Sequence, residues 1–303
     1  MSLFLRLLKP FLKAVAFFIH ILPYPVHWVL AWLIALVWFD VLRIRRKDAI
    51  ENVRKAFPDL TSKKARQLAR GSLFHMGLTL LEFYSFPFLW KEDFDRLFQT
   101  QGMELLDEAF AQGKGVFLMS LHIGNGDLGA AALACWGYPM HIISKVFKTK
   151  WLNDLWFGSR RKRGLRFIAP RKSTYEILKA LKANHGIIFV LDQYTGPPNG
   201  VVTEFFGHKT GTAMGLALFA KKSGAPVLPV YTYRIGPKKH QIVVEPPIPF
   251  EEHDNPEETI RYMTQKYTDC IERIVRDHKE QWMWVHRRWK IGFAEQLETN
   301  KET

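Results

Sequence analysis

The chain opens with a long apolar stretch that is unlike anything after it. Residues 14–39 contain no Lys, Arg, Asp or Glu, and this window of 26 residues exceeds the roughly 20 that a spanning helix needs. Pro23 and Pro25 interrupt it, and because proline lacks a backbone donor, the pattern predicts two short helices with a break between them. We expect a membrane anchor, either a single crossing or a re-entrant or in-plane segment. A buried pair of core helices is the alternative.

Hydrophobic spacing after the anchor predicts helices first and an α/β pattern later. Pro58 ends one predicted helix over 49–57, and Thr61 is placed to cap a second one that runs to about Tyr84. From about residue 100, short apolar runs alternate with helical stretches. The predicted strands cover 115–120, 140–146, 165–168, 186–191, 226–234 and 241–245. The predicted helices cover 127–136, 151–163, 173–184, 210–223 and 255–279.

This alternation predicts the α/β class, with a mixed, largely parallel sheet flanked by helices. We divide the chain into an N-terminal anchor, residues 1–46, and one larger domain, residues 47–303. That domain comprises a helical entry over 47–99, an α/β core over 100–293 and a polar tail.

Composition narrows the class of partner. The chain has 303 residues, of which 48% are hydrophobic and 24% charged, so it is not a disordered or low-complexity protein. Its net charge of +14 predicts an anionic partner, and its 14% aromatic content favours a lipid or membrane surface over nucleic acid. Two cysteines cannot build a disulfide framework or a cysteine zinc site, and no histidines have metal-ligand spacing, so we expect no metal.

The most informative segment runs from Ser120 to Asp127 and follows an apolar strand. Sites in open α/β sheets gather at the carboxyl ends of strands. Gly124 and Gly126 let the loop fold back, so that Asp127 can be set against the ring of His122. A carboxylate on one ring nitrogen fixes the tautomer, and the other nitrogen is then a general base for a hydroxyl.

Two other interpretations of this segment stay open. His122 and Asp127 are five positions apart, a pairing that occurs by chance, with the histidine packed at a loop and the aspartate capping a helix. Ser120 raises a serine-hydrolase hypothesis, but no Gly-x-Ser-x-Gly elbow surrounds it.

Seven blocks in order resemble the bacterial lipid A biosynthesis (late) acyltransferases, within the lysophospholipid acyltransferase superfamily, and the resemblance covers most of the chain. They are N-V-R-K-A-F-P at 52–58; H-x-x-x-x-D at 122–127; R-R-K-R-G at 160–164; D-Q at 192–193; F-F-G at 205–207 with Thr210 and G-T-A at 211–213; S-G-A-P-V-L-P at 223–229; and Q-W-M-W-V-H-R-R-W at 281–289.

The resemblance implies transfer of a fatty acyl chain from an acyl carrier protein or coenzyme A thioester to a lipid hydroxyl. It implies a single step without an acyl-enzyme, no cofactor beyond the thioester co-substrate, and a site on the cytoplasmic side of the bacterial inner membrane. Many members carry Glu where this chain has Asp127, and Asp occurs in related enzymes that modify phospholipids and mannosides. The acceptor therefore stays open between a lipid A precursor, a lysophospholipid, an aminolipid and a mannoside.

On this basis His122 is the expected general base and Asp127 its orienting acid. Gly124, Asn125 and Gly126 are expected to shape the turn and to point backbone donors at the thioester oxygen. The alternative is that they only permit the bend.

Further candidate residues bind substrate. Arg160, or second Arg161, is expected to hold a phosphate, with a solvated basic face on anionic lipid as the alternative. Asp192 ends a buried strand, and a partner such as Arg160 or the His122 region would explain its burial; a structural cap is the alternative.

Phe205, Phe206 and Gly207 are expected to line an acyl channel, or else to pack in the core. Thr210 is expected at a helix N-terminus facing a phosphate, or in close helix packing. We expect the aromatic block at 281–289 to serve packing rather than chemistry.

Two functions of other classes compete with acyl transfer. One is a membrane lipid-binding protein that keeps the scaffold without turnover. The other is a soluble hydrolase of acyl thioesters, which would use water as the acceptor.

Overall fold

The computed structural model describes residues 3–145, 149–170 and 173–290. The helices within these ranges are α1 Leu3–Ile21, α2 Tyr24–Ala35, α3 Arg46–Ala56, α4 Ser62–Ser85, α5 Lys91–Leu97, α6 Met103–Ala111, α7 Gly126–Cys135, α8 Lys150–Arg161, α9 Thr174–Lys182, α10 Gly215–Ser223 and α11 Pro256–Asp277. The strands are β1 Phe98–Gln101, β2 Val116–Ser120, β3 Met140–Ile143, β4 Arg166–Ile168, β5 Gly186–Val190, β6 Gly200–Phe205, β7 His208–Ala213, β8 Val227–Gly236 and β9 Lys239–Val244.

A mixed sheet organises the larger part of the chain. Its strand order across the described residues is β1-β9-β8-β2-β5-β3-β4, and all neighbouring pairs are parallel except β8 with β9. The central strands β2 and β5 are almost fully buried, as expected for a sheet covered by helices on both faces. The predicted α/β class with a largely parallel, helix-flanked sheet is confirmed.

The N-terminal break falls where the prolines predict it. Helix α1 ends at Ile21 and α2 begins at Tyr24, with Pro25 in its first turn. Together with a π-helical turn, α2 forms an apolar run over Tyr24–Val41 of which only 22% is buried, the one candidate membrane span among the described residues. The division of the chain at residue 46 stays a prediction.

Helix α4 connects this N-terminal pair to the rest of the molecule. Thr61 caps it by accepting a hydrogen bond from the backbone of Lys64, as predicted. Its Gly77 lies against Ala31 of α2 so closely that a Cβ there would stand 3.1 Å from the Ala31 carbonyl oxygen. The small residues thus allow the two helices to approach closely.

One part of the secondary structure differs from the prediction. The helix predicted over 210–223 is shorter, because residues 208–213 form β7 of an antiparallel hairpin with β6. Phe206 and Gly207 both have positive φ and form its two-residue turn. Strands β1 and β6 and helices α5 and α6 were not predicted. The strand predicted over 140–146 ends earlier, at Ile143, and its last predicted residue, Val146, lies outside the described residues.

The packing of α4 on α2 predicts opposite effects for two glycines of one helix. Gly77→Leu should lower the free energy of unfolding by about 1–3 kcal/mol, because the new side chain must push Ala31 away. Gly71→Leu is the matched control, since a Cβ there has no neighbour within 4 Å, and it should raise stability by about 0.5–1 kcal/mol through helix propensity. Thermal unfolding in one detergent compares them, and equal shifts would contradict the packing.

Candidate active site

The site is built at the carboxyl ends of two adjacent parallel strands. In the register of β2 with β5, Ser120 lies opposite Val190, and the pairing continues as Leu191 donates its backbone N–H to the Ser120 oxygen at 3.1 Å. His122 and Asp192 each follow two residues beyond these paired ends. The same register that buries the strands therefore brings the two side chains together.

The contacts between His122 and Asp192 are direct. The ring Nδ1 of His122 lies 2.8 Å from Asp192 Oδ1, and the backbone N–H of His122 donates to Oδ2 at 2.8 Å. The indole Nε1 of Trp282 also donates to Oδ2, at 2.8 Å. Asp192 is only 2% exposed, so these three donors supply the partners that a buried carboxylate requires.

Charge and burial act against each other at this pair. Burial would raise the pKa of Asp192, but the charge and hydrogen bonds of His122 and the bond from Trp282 lower it to about 2. Burial would likewise lower the pKa of His122, yet the Asp192 carboxylate and, more weakly, Asp127 raise it above its usual value. Asp192 is therefore a fixed negative charge that favours the imidazolium form.

The second ring nitrogen of His122 faces the open side of the site. The side chain is 39% exposed, and the amide nitrogen of Gln193 lies 3.3 Å from Nε2. With the carboxylate on Nδ1, the proton of the neutral ring resides there and Nε2 is the basic nitrogen. A hydroxyl that displaces the Gln193 amide would meet a base already held in orientation.

The loop between His122 and α7 is held at two consecutive residues. Gly124 has φ +52, and a Cβ there would stand 2.4 Å from the Thr232 oxygen, so the position requires glycine. Thr79 of α4 donates to the Gly124 oxygen at 2.9 Å. Asn125 caps α7 by accepting from Leu128 N–H, and Gly126 is the first residue of that helix.

Asp127 does not hold the ring of His122. Its two carboxylate oxygens accept from Arg160, at 3.1 Å from Nε and 2.7 Å from Nη2. The predicted orienting role of Asp127 is thus taken by Asp192, because the strand register, and not the folded-back loop, brings an acid to Nδ1. Asp127 acts on His122 through its charge.

The phosphate-binding prediction fails for Arg160 on burial. Its side chain is fully buried, packed over the Phe83 ring at 4.8 Å and paired with Asp127. A guanidinium enclosed in this way is closed to a phosphate from solution. Arg161, the second choice, is exposed at the end of α8.

The residues predicted to line an acyl channel and to bind phosphate lie elsewhere. Phe205 and Phe206 are buried in an aromatic cluster with Trp282, Trp284 and Trp289, and not open to a channel. Gly207 lies at the hairpin turn and borders an open, charged depression of about 630 Å³ against α11. Thr210 is in strand β7, where its buried hydroxyl donates to the Arg288 oxygen at 2.6 Å.

Two groups that shape the site were not predicted. Trp282 was assigned to packing, although its indole donates to Asp192. Glu82 of α4 binds Asn125 Nδ2 at 2.9 Å and Arg234 at 2.7 Å, and nothing in the sequence around it signals this role. Within the described ranges, no group of three or more His, Cys, Asp or Glu side chains lies together as a metal site would require.

Comparison with known proteins shows what the chain is similar to in sequence. The family model "Bacterial lipid A biosynthesis acyltransferase" matches residues 5–291. The lipid A biosynthesis lauroyltransferase of Escherichia coli (strain K12) is 26% identical over 89% of this chain and 87% of its own length. A phosphatidylinositol mannoside acyltransferase of Mycobacterium tuberculosis (strain ATCC 25618 / H37Rv) is 22% identical over 64% of this chain and 60% of its own.

Among solved structures, the 1-acyl-sn-glycerophosphate (LPA) acyltransferase PlsC from Thermotoga maritima covers 86% of this chain and 99% of its own, with a TM-score of 0.35 and 16% identity. A likeness of that size adds nothing to the assignment. The family model spans nearly the whole chain and includes the strand ends that carry His122 and Asp192. This chain is an acyltransferase and belongs to the bacterial lipid A biosynthesis acyltransferase family.

Proposed function

We propose that the chain transfers a fatty acyl group from a carrier thioester to a hydroxyl of a lipid A precursor or a related glycolipid. The observation that carries the proposal is the imidazole of His122, which a buried carboxylate holds at Nδ1 while Nε2 lies beside the Gln193 amide on a side chain that is 39% exposed. Membership in the acyltransferase family supplies the type of reaction. The thioester is a co-substrate, and the proposed step uses no cofactor.

In the proposed step, His122 Nε2 takes the proton of the acceptor hydroxyl while the hydroxyl oxygen attacks the thioester carbonyl carbon. The resulting tetrahedral oxyanion collapses, the carbon–sulfur bond breaks, and the imidazolium returns its proton to the leaving thiolate. Asp192 stabilises the imidazolium without taking the proton itself. Asp127 adds a second negative charge that favours the same protonated form.

The oxyanion needs donors that are in place before the reaction. We propose that backbone N–H groups at the start of α7, around Gly126 and Asp127, supply them, because a helix N-terminus carries unpaired donors and a favourable dipole. Two features hold this end of the helix: the bond from Thr79 to Gly124 and the bond from Asn125 to Glu82.

The carrier and the acceptor are proposed by chemical class. An acyl carrier protein and coenzyme A are both anionic, and the +14 charge of the chain suits either. A lipid A precursor is the first choice of acceptor because two relatives named for lipid A biosynthesis are 24–26% identical over 89% of this chain. A mannoside acceptor is the alternative, supported by the name of a more distant relative.

We also propose that the enzyme works at the cytoplasmic face of the bacterial inner membrane, held by α1 and α2. Large apolar side chains on these helices are exposed, including Phe17, Phe18, Trp28 and Trp32. Solvent-exposed apolar area of this kind marks a membrane or partner surface. Basic residues follow directly, with Arg43, Arg45 and Arg46 placed where anionic lipid headgroups would meet them.

The proposed reaction predicts that His122→Ala lowers kcat by about 10²- to 10⁴-fold, because the variant lacks the proposed general base but keeps the proposed oxyanion donors. Purified protein in detergent is incubated with a labelled acyl group, carried as a thioester on acyl carrier protein or on coenzyme A. The acceptor is a lipid A precursor or a phosphatidylinositol mannoside, and mass spectrometry identifies the products. Lys182→Ala is the control, because this exposed residue lies at the end of α9, and it should transfer normally.

Three results would overturn the proposal in different ways. Equal activity of His122→Ala and wild type would show that His122 is not the general base. Free fatty acid as the product of every mixture indicates a thioester hydrolase. Lipid binding without any product indicates a binding protein on the acyltransferase scaffold.

The membrane proposal predicts that Trp28→Ser/Trp32→Ser lowers the fraction of protein that floats with phosphatidylglycerol vesicles. These indoles are 53% and 46% exposed, so their loss should weaken vesicle binding. Trp28 also contacts Phe74 and Trp32 lies under Arg70, so thermal unfolding of the same protein checks that the variant remains folded. Tyr175→Ser/Leu218→Ser is the matched control, since its two apolar side chains are 73% and 44% exposed on α9 and α10. If both pairs reduce flotation equally, the N-terminal helices are not the anchoring surface.

A further inference from the structure

One segment near the C-terminus lies directly against the catalytic loop. Residues 281–290, here called the C-terminal segment, contain no helix or strand, but Met283 donates its backbone N–H to the His122 oxygen at 3.2 Å. Trp282 forms an antiparallel bridge with Ile123 and donates its indole N–H to Asp192. The position of this segment therefore sets one of the three donors on the buried carboxylate.

Because this segment forms no helix or strand, its backbone groups need hydrogen-bond partners from elsewhere in the chain. Helix α3 provides two of them through one side chain, since the Nδ2 group of Asn52 donates to the Trp284 oxygen at 2.8 Å and to the His286 oxygen at 2.7 Å. Asn52 is only 8% exposed, and both of its amide hydrogens are used. The bonds join parts of the chain that lie 232 and 234 residues apart.

Other contacts hold the two ends of the segment. At its start, the Gln281 side chain exchanges two hydrogen bonds with the Arg234 backbone. At its far end, Arg288 donates to the Gln193 and Gly211 oxygens and to Thr212, and Trp289 donates to the Phe205 oxygen. Asn52 acts between these ends, because its acceptors lie two and four residues after Trp282. Few contacts separate Asn52 from the base. Asn52 binds the Trp284 and His286 carbonyls, Trp282 of the same segment binds Asp192, and Asp192 binds His122.

We propose that Asn52 is a positioning residue, which holds the C-terminal segment so that Trp282 keeps its hydrogen bond to Asp192. The inference rests on the proposed function for its role in turnover, but the hydrogen bonds exist independently of it. Loss of the amide removes the Asn52 donor from the Trp284 oxygen and leaves the His286 oxygen with the Arg288 backbone N–H, and a lost hydrogen bond is costly in a buried site. The segment then shifts to find other partners, and the indole moves off Asp192.

The direction of the effect follows from charge. A carboxylate that has lost the Trp282 donor is less compensated, so it stabilises the imidazolium of His122 more strongly and raises its pKa. Protonated His122 cannot act as a base, so the acidic limb of kcat/KM moves to higher pH. The other groups acting on the pair, Asp127, His286 and Arg288, are unchanged in every variant below.

The test is a double-mutant cycle between Asn52→Leu and Trp282→Phe. Each single variant should lower kcat by about 10- to 100-fold with little change in KM, and should move the acidic limb upward by about half a unit to one unit. The double variant should resemble Trp282→Phe alone, since both changes break the same path. Asn52→Ser, which keeps one hydroxyl donor, should fall between Asn52→Leu and wild type.

The matched control is Asn184→Ala at the opposite end of the sheet. Its amide also bridges two backbone groups, Gly115 N–H and the Phe110 oxygen, each at 3.0 Å, and its φ of +57 makes alanine strained there. It should lower stability but leave the pH profile unchanged.

Titration of His122 by NMR in histidine-labelled protein gives a readout without substrate, so failure of acyl transfer in wild type and failure of this inference are separate results. An unchanged His122 pKa in Asn52→Leu and Asn52→Ser overturns the inference. So do fully additive losses of kcat in the cycle, or a profile shift in Asn184→Ala equal to that in Asn52→Leu.

Discussion

The parallel register of β2 with β5 is the constraint on which the site depends. It places Ser120 opposite Val190, so the first turns beyond the two strands bring His122 and Asp192 into contact at 2.8 Å. A shift of one residue would turn every side chain of a buried strand to the other face, and the close packing of side chains of different size on both faces opposes that shift. The packing of two apolar strands thus fixes the geometry of a polar pair.

Charges buried around this pair occur with partners, and each partnership also fixes a piece of backbone. Asp192 ties the His122 loop to the C-terminal segment, and Arg160 ties α8 to the start of α7 through Asp127. Glu82 joins α4 to Arg234 and Asn125. Because an unpaired buried charge costs several kcal/mol, these contacts specify the arrangement even where their net contribution to stability is small.

The sequence predicts the parts of the molecule that local pattern controls. Apolar runs gave the central strands, and the prolines gave the break between α1 and α2. The loop with His122 was placed correctly at a strand end. Proximity in sequence assigns the orienting role to Asp127, and the burial of Asp192 indicates a partner in Arg160 or the His122 region. Strand pairing selects the second, and Asp192, 70 residues away, becomes the acid at Nδ1. The roles of Trp282 and Asn52 were not predicted, because their contacts join residues 90 and 232 positions apart.

The hairpin of β6 and β7 is a case in which the local sequence fits two different secondary structures. Its residues include Thr210 and Gly211 to Ala213, small and polar positions that also fit a helix N-terminus, and the antiparallel pairing that decides between the two is not local. A buried Thr203–Thr212 hydroxyl contact at 2.6 Å and the Arg288 donors to Gly211 and Thr212 stabilise the strand form. The residue types within the hairpin do not predict these distant hydrogen-bond partners.

The central claim is that Asp192 holds the Nδ1 proton of His122. Proton NMR of histidine-labelled protein tests it directly, because a ring N–H donated to a buried carboxylate gives a strongly downfield signal that His122→Gln removes. The account predicts that this signal disappears in Asp192→Asn and persists in Asp127→Asn. A signal that survives in Asp192→Asn and is lost in Asp127→Asn would contradict it.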